Sequence, residues 1–171
     1  LSKKSAMTIC SQKKYTVRSN KSLTKLKRGI FFTMPRKHKP NIGFVGTGSA
    51  LKGVSIFLAI LLKINLPISI IIIGPMIWSK QNKKLVSLLQ ESNLELIFLG
   101  RKHNQYVLNK YKELDVVIFP TLSDGYGLAI EEAFLAGVHI LTSKYAGISD
   151  RISGFQGVKI FDPFDTASFE N

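Results

Sequence analysis

From residue 42 onward, short continuous apolar runs alternate with longer stretches of helical periodicity. Ile42–Val45 is an apolar run ended by Gly46 and reads as a strand. Over Gly53–Lys63 the residues Val54, Phe57, Leu58, Leu61 and Leu62 follow the i, i+3, i+4, i+7, i+8 stripe of a helix. Ile56, Ala59 and Ile60 make that helix apolar nearly all round, which predicts burial on most sides. Ser69–Ile73 is β-branched, continuous and stopped by Gly74-Pro75, the pattern of a central parallel strand covered on both faces. An amphipathic helix follows over Lys80–Ser92, with Leu85, Leu88 and Leu89 on one side. Glu95–Leu99 is the next strand, Asn104–Lys112 a short helix, and Val116–Phe119 a strand stopped by Pro120. Gly127–Ala136 reads as a helix with Gly137 placed as its C-cap. Val138–Thr142 and Val158–Phe161 are two further strands. Strands and helices in this alternation predict an α/β fold, a doubly wound parallel sheet of Rossmann-like type.

Residues 1–41 break the alternation. Ala6–Cys10 reads as a strand and Tyr15–Leu26 as a helix, followed by a Pro- and Lys-rich linker at Pro35–Pro40. Charge divides the chain at the same place. The formal charge is +13, and residues 1–40 hold twelve Lys and Arg with no acidic residue. The remainder is nearly neutral. The division predicted is a basic tail of a preceding domain plus linker over 1–40, and one Rossmann-like domain, cut short at its C-terminal end, over 41–171. A charge run of this kind suits a solvated surface, an anionic membrane surface or, last in order, nucleic acid. The single Cys10 excludes an internal disulfide framework. Lys63, Asn65 and Pro67 interrupt the most apolar stretch, which argues against a membrane span. These features together predict a cytoplasmic chain, peripheral to the inner face of a membrane if the basic segment meets lipid.

Ligands of open α/β sheets bind at the carboxyl ends of the strands. Three segments should converge there: Gly46–Gly53, Gly100–Asn104 and Thr121–Glu132. In the third, a Gly-rich turn leads into a helix near Gly127. Free N–H groups at such a start favour phosphate, and Gly125 and Gly127 let the backbone approach a ligand. Glu132 leans back toward the helix start and can share a pocket with Asp124. The competing reading is an ordinary helix start, capped by Asp124, with Glu131 and Glu132 favouring the dipole. The first segment is neither a dinucleotide fingerprint nor a P-loop, because Gly48 is next followed by Gly53 and no Lys-Ser/Thr pair closes it. It leaves Lys52 either beside the phosphate side of the crevice or as an exposed lysine at a helix start. His38, His103 and His139 share no ligand spacing, so no metal site is assigned.

From about Asn41 to Thr166 the chain resembles the C-terminal domain of the GT-B glycosyltransferases of family 4, the group 1 transferases. The main match is Phe119–Gly137, FPTLSDGYGLAIEEAFLAG, where Asp124 and Glu132 keep the family's spacing of an acid, a GFGL-like turn and a glutamate. FVGTGSALKGV at Phe44–Val54, FLGR at Phe98–Arg101 and YKELDVVIFP at Tyr111–Pro120 support it. KYAGISD at Lys144–Asp150 and KIFDPFD at Lys159–Asp165 follow in the family's order.

The resemblance implies a retaining transfer from a nucleotide-sugar donor, with no cofactor and no metal. It implies that Glu132 bonds the ribose, Asp124 the hydroxyls of the transferred sugar, and Lys52 the departing diphosphate. The N–H groups of Tyr126, Gly127 and Leu128, beside Gly125, would approach the sugar and diphosphate. Gly46 and Thr47 would line the phosphate side, and backbone at Arg101 would edge the base. Two departures stand out: Thr47 replaces a usual arginine, and Asp124 a usual glutamate. The acceptor domain of the family lies N-terminal to this one, so a missing partner domain is implied. Two other readings stay open: another GT-B enzyme such as a nucleotide-sugar epimerase, and a degenerate or truncated domain that binds a nucleotide without activity.

Overall fold

The computed structural model describes residues 39–165. The strand and helix expected over Ala6–Cys10 and Tyr15–Leu26 lie outside them. In chain order the elements are β1 (Asn41–Val45), α1 (Val54–Leu61), β2 (Ser69–Ile73), α2 (Lys80–Gln90), β3 (Glu95–Gly100) and α3 (Asn104–Tyr111). They continue as β4 (Val116–Phe119), α4 (Leu128–Ala136), β5 (His139–Ser143), α5 (Ser149–Ile152) and β6 (Val158–Phe161). The six strands form one sheet in the order β3-β2-β1-β4-β5-β6, and all pairs are parallel. The order reverses between β1 and β4, and ligands of open α/β sheets bind at the carboxyl ends of the strands at such a switch point.

Side chains alternate across each strand, so one sheet builds two cores. Ile70 and Ile72 of β2 face Phe57, Leu58 and Leu61 of α1 and Leu89 of α2. Ile71 and Ile73 face the other way, toward Val107 and Tyr111 of α3, Ile130 and Ala133 of α4, and Ile148 and Ile152 around α5. All five residues of β2 are buried, as a parallel strand flanked on both sides should be.

Local chemistry sets the helix ends. Ser79 caps α2 by accepting from the Asn82 N–H at 3.0 Å. Gly137, with φ of 77°, ends α4 in the left-handed conformation. Two expectations change, and one short helix was not expected. Helix α1 buries Val54, Phe57, Leu58 and Leu61, but Ala59 is exposed and Leu62 lies beyond its end, because an outer-layer helix has only one face on the sheet. In α2 Leu89 is buried and Leu85 partly so, whereas Leu88 is 43% exposed, and buried Asn82 bonds Ser55 instead. Helix α5, four residues long, is too short to carry a periodic signal. Among the described residues no helix is long and apolar enough to cross a membrane.

Candidate functional site

The loops that follow β1 and β4 are stitched together over the carboxyl edge of the sheet. Leu51 O accepts from Thr121 Oγ1 at 2.9 Å and from the Leu122 N–H at 2.8 Å. Gly53 has φ of 72°, and a Cβ there would sit 1.8 Å from Pro120 O. Only glycine lets α1 start this close to the end of β4. Gly46 donates to Ile73 O at 2.9 Å, and Gly74 to Gly100 O at 2.8 Å, so the ends of β1, β2 and β3 are joined in turn.

Across this edge Lys52 Nζ meets Asp124 Oδ2 at 2.5 Å. The two side chains are 38% and 19% exposed, so the pair is screened but not fully solvated. Asp124 is therefore not the cap of α4. The N-cap is Gly127, with φ of 94° and no side-chain cap bond. The first N–H groups of a nine-residue helix are thus left to solvent or to an anion. The loop after β5 braces the turn: Asp124 N–H donates to Tyr145 O at 3.3 Å and Gly147 N–H to Asp124 O at 2.9 Å. A Cβ on Gly147 would meet Gly125 O at 2.2 Å.

Glu132 accepts from Asn104 Nδ2 at 2.7 Å, which joins α4 to the first residue of α3. Glu131 is engaged elsewhere, accepting from Tyr126 OH at 2.8 Å. That bond holds the Tyr126 phenol above its ordinary pKa, because ionisation would set two negative oxygens together. Tyr111 is fully buried and donates its hydroxyl to Ala129 O at 2.9 Å. Burial first, and the charge of Glu132 second, push its phenol well above the usual range.

Three of the candidate residues thus sit in two contact pairs, Lys52–Asp124 and Asn104–Glu132, with Asp124 and Glu132 eight residues apart in the chain. Helices α1 and α4 cover opposite faces, and no contact among the described residues joins Lys52 to Glu132 directly. Thr47, Gly125, Leu128 and Arg101 are exposed, Gly46 and Tyr126 are half-buried, and Gly127 is buried. Arg101 makes no described contact with the others. Among the described residues no group of three or more His, Cys, Asp or Glu is arranged to hold a metal. Sequence reasoning did not single out Asn104 or Gly147 as individual residues. The Gly-containing KYAGISD segment carried a signal for Gly147, whereas Asn104 was marked only as the end of the Gly100–Asn104 segment expected at the strand ends.

A doubly wound α/β domain with an uncapped helix start at its switch point defines the class. Residues 39–171 match the profile described as glycosyl transferases group 1, and the chain belongs to that family. Over 75 residues it is 35% identical to Protein CapJ of Staphylococcus aureus, a stretch covering 42% of this chain and 19% of CapJ. Among solved structures, HepE of Anabaena in complex with UDP-glucose aligns with a TM-score of 0.62 at 20% identity, over 75% of this chain and 36% of HepE. Sucrose-phosphate synthase of Thermosynechococcus elongatus aligns with a TM-score of 0.64 at 20% identity, over 76% of this chain and 34% of the synthase. The fold is accordingly that of a Rossmann-like domain of the GT-B glycosyltransferases. The chain spans roughly a third of those neighbours' length.

Proposed function

We propose that this domain binds the nucleotide-sugar donor of a retaining hexosyl transfer. The observation that carries the reading is the uncapped start of α4 at Gly127, with Asp124, paired to Lys52, three residues before it in the chain and Glu132 five residues after it. Fixed N–H dipoles and one ammonium suit a diphosphate that gains negative charge as it departs. In this reading Lys52 neutralises the diphosphate, Asp124 bonds sugar hydroxyls and Glu132 bonds the ribose. The N–H groups of Tyr126, Gly127 and Leu128, with Gly125, approach the sugar and phosphates. Gly46 and Thr47 line the phosphate side, and backbone at Arg101 edges the base. Charge compensation comes from the protein, so no metal or cofactor enters the reading. HepE, in complex with UDP-glucose, supports a donor of this chemical class.

The acceptor binds a second domain N-terminal to this one, and transfer takes place in the cleft between the two. The basic residues 1–40 meet an anionic membrane surface from the cytoplasmic side, with nucleic acid the weaker candidate partner. The test is calorimetry of the chain with UDP, GDP and ADP and their hexose conjugates. One nucleoside diphosphate should bind, and Glu132→Ala should weaken it by roughly 1–3 kcal/mol, the scale of hydrogen bonds to a charged group. Equal affinity for wild type and variant would remove Glu132 from the site.

A further inference from the structure

Helix α3 meets α4 at two points that lie two turns apart on one side of α3. Residues 104 and 111 are at i and i+7, which places them on the same helical face about 10 Å apart. At the inner point Tyr111 is wholly buried and bonds Ala129 O. That contact, with Val107 and Ile130 in the same core, fixes helix against helix. The outer contact, Asn104 Nδ2 to Glu132 Oε1 at 2.7 Å, is exposed and is not needed to dock the two helices. Its consequence falls on the carboxylate. An ionised carboxylate only accepts, so the amide must present its nitrogen and thereby fixes one of the two oxygens. No described residue bonds the other.

We propose that Asn104 is a positioning residue that holds Glu132 in one orientation, so that the site distinguishes a ribonucleotide from one lacking ribose hydroxyls. The inference rests on the reading of Glu132 as the ribose ligand. An unrestrained glutamate samples several rotamers and must give up that freedom on binding. A glutamate held at one oxygen has already done so, and its second oxygen meets a hydroxyl at less entropic cost. The contact also ties the end of the loop after β3 to a group on α4. Asn104 is the first helical residue beyond that loop, so the loop's position is transmitted to Glu132 through one hydrogen bond.

The test compares UDP with 2′,3′-dideoxy-UDP on the full chain, by calorimetry, for wild type, Glu132→Ala, Asn104→Ala, Asn104→Asp and the double alanine variant. Wild type should prefer UDP by roughly 10-fold or more, and Glu132→Ala should erase most of that preference. Asn104→Ala should cut the preference about 3- to 5-fold while leaving dideoxy-UDP affinity unchanged. Asn104→Asp keeps the shape, suits a helix start, and sets a like charge against Glu132, so it should do at least as much damage. In the Glu132→Ala background, removing Asn104 should change nothing further. If both Asn104 variants keep the wild-type preference while Glu132→Ala loses it, the positioning role is overturned and the donor site stands. Equal weakening of both nucleotides by the Asn104 variants would reduce Asn104 to a structural contact and also overturn the role. Absence of binding by UDP, GDP and ADP alike, or no loss of preference in Glu132→Ala, would sink the ribose assignment, and the positioning role with it.

Discussion

Replacing Asp124 by asparagine removes one negative charge and almost no volume, and its predicted effect differs between two ligands. Lys52 is held on Asp124 at 2.5 Å. A diphosphate has to compete with that carboxylate for the ammonium. With side chains 38% and 19% exposed, the pair is worth about 1 kcal/mol, the upper end of measured surface pairs. Asp124→Asn frees Lys52 and removes a like charge from beside the phosphates. UDP, which has no sugar for Asp124 to bond, should therefore bind about 5-fold more tightly to the variant. UDP-glucose should gain little, because the lost sugar contact offsets the freed lysine. Lys52→Met should weaken both ligands. The assay is calorimetry of UDP and UDP-glucose on the three proteins in 0.1 M salt. If Asp124→Asn weakens UDP as much as Lys52→Met does, the carboxylate is not a competitor for the lysine and the assignment of the pair fails.

Three further outcomes are expected. Gly53→Ala combines a left-handed φ with a Cβ 1.8 Å from Pro120 O, so it should cost at least ~2 kcal/mol in urea unfolding, and an unchanged midpoint would refute the close approach of α1 to β4. Deleting residues 1–40 should abolish salt-sensitive binding to phosphatidylserine vesicles, because twelve of the thirteen net charges lie there; binding that persists would remove the segment from the membrane reading. The 171-residue chain alone should show at most slow donor hydrolysis, since positioning both reactants supplies roughly 7–11 kcal/mol in favourable cases. Glu132-dependent transfer at a rate typical of an intact two-domain enzyme would contradict that.

The parallel sheet was legible because its strands are short apolar runs, four of the six ended by Gly or Pro, as at Ser69–Ile73 before Gly74-Pro75. The glycine closing α4 was legible for the same reason: it answers a local backbone demand. What failed depended on neighbours far along the chain. The apolar ring of α1 predicted burial on most sides, but a periodicity cannot say how many layers surround a helix. Leu88 continued an amphipathic stripe and is nonetheless exposed. At the candidate site, local pattern left Asp124 open between a cap and a ligand group. In the structure it caps nothing and pairs with Lys52, 72 residues earlier in the chain. The Asn104–Glu132 bond joins two helices across 28 residues and leaves no local mark.

The central claim is that the carboxyl edge between β1 and β4 holds the diphosphate of a nucleotide-sugar donor. A crystal structure of this chain with UDP-glucose tests it most directly. The diphosphate should lie against the N–H groups at the Gly127 end of α4, within reach of Lys52, with the ribose on Glu132. Electron density for the nucleotide at any other edge of the sheet, with the Lys52–Asp124 pair undisturbed, would contradict it.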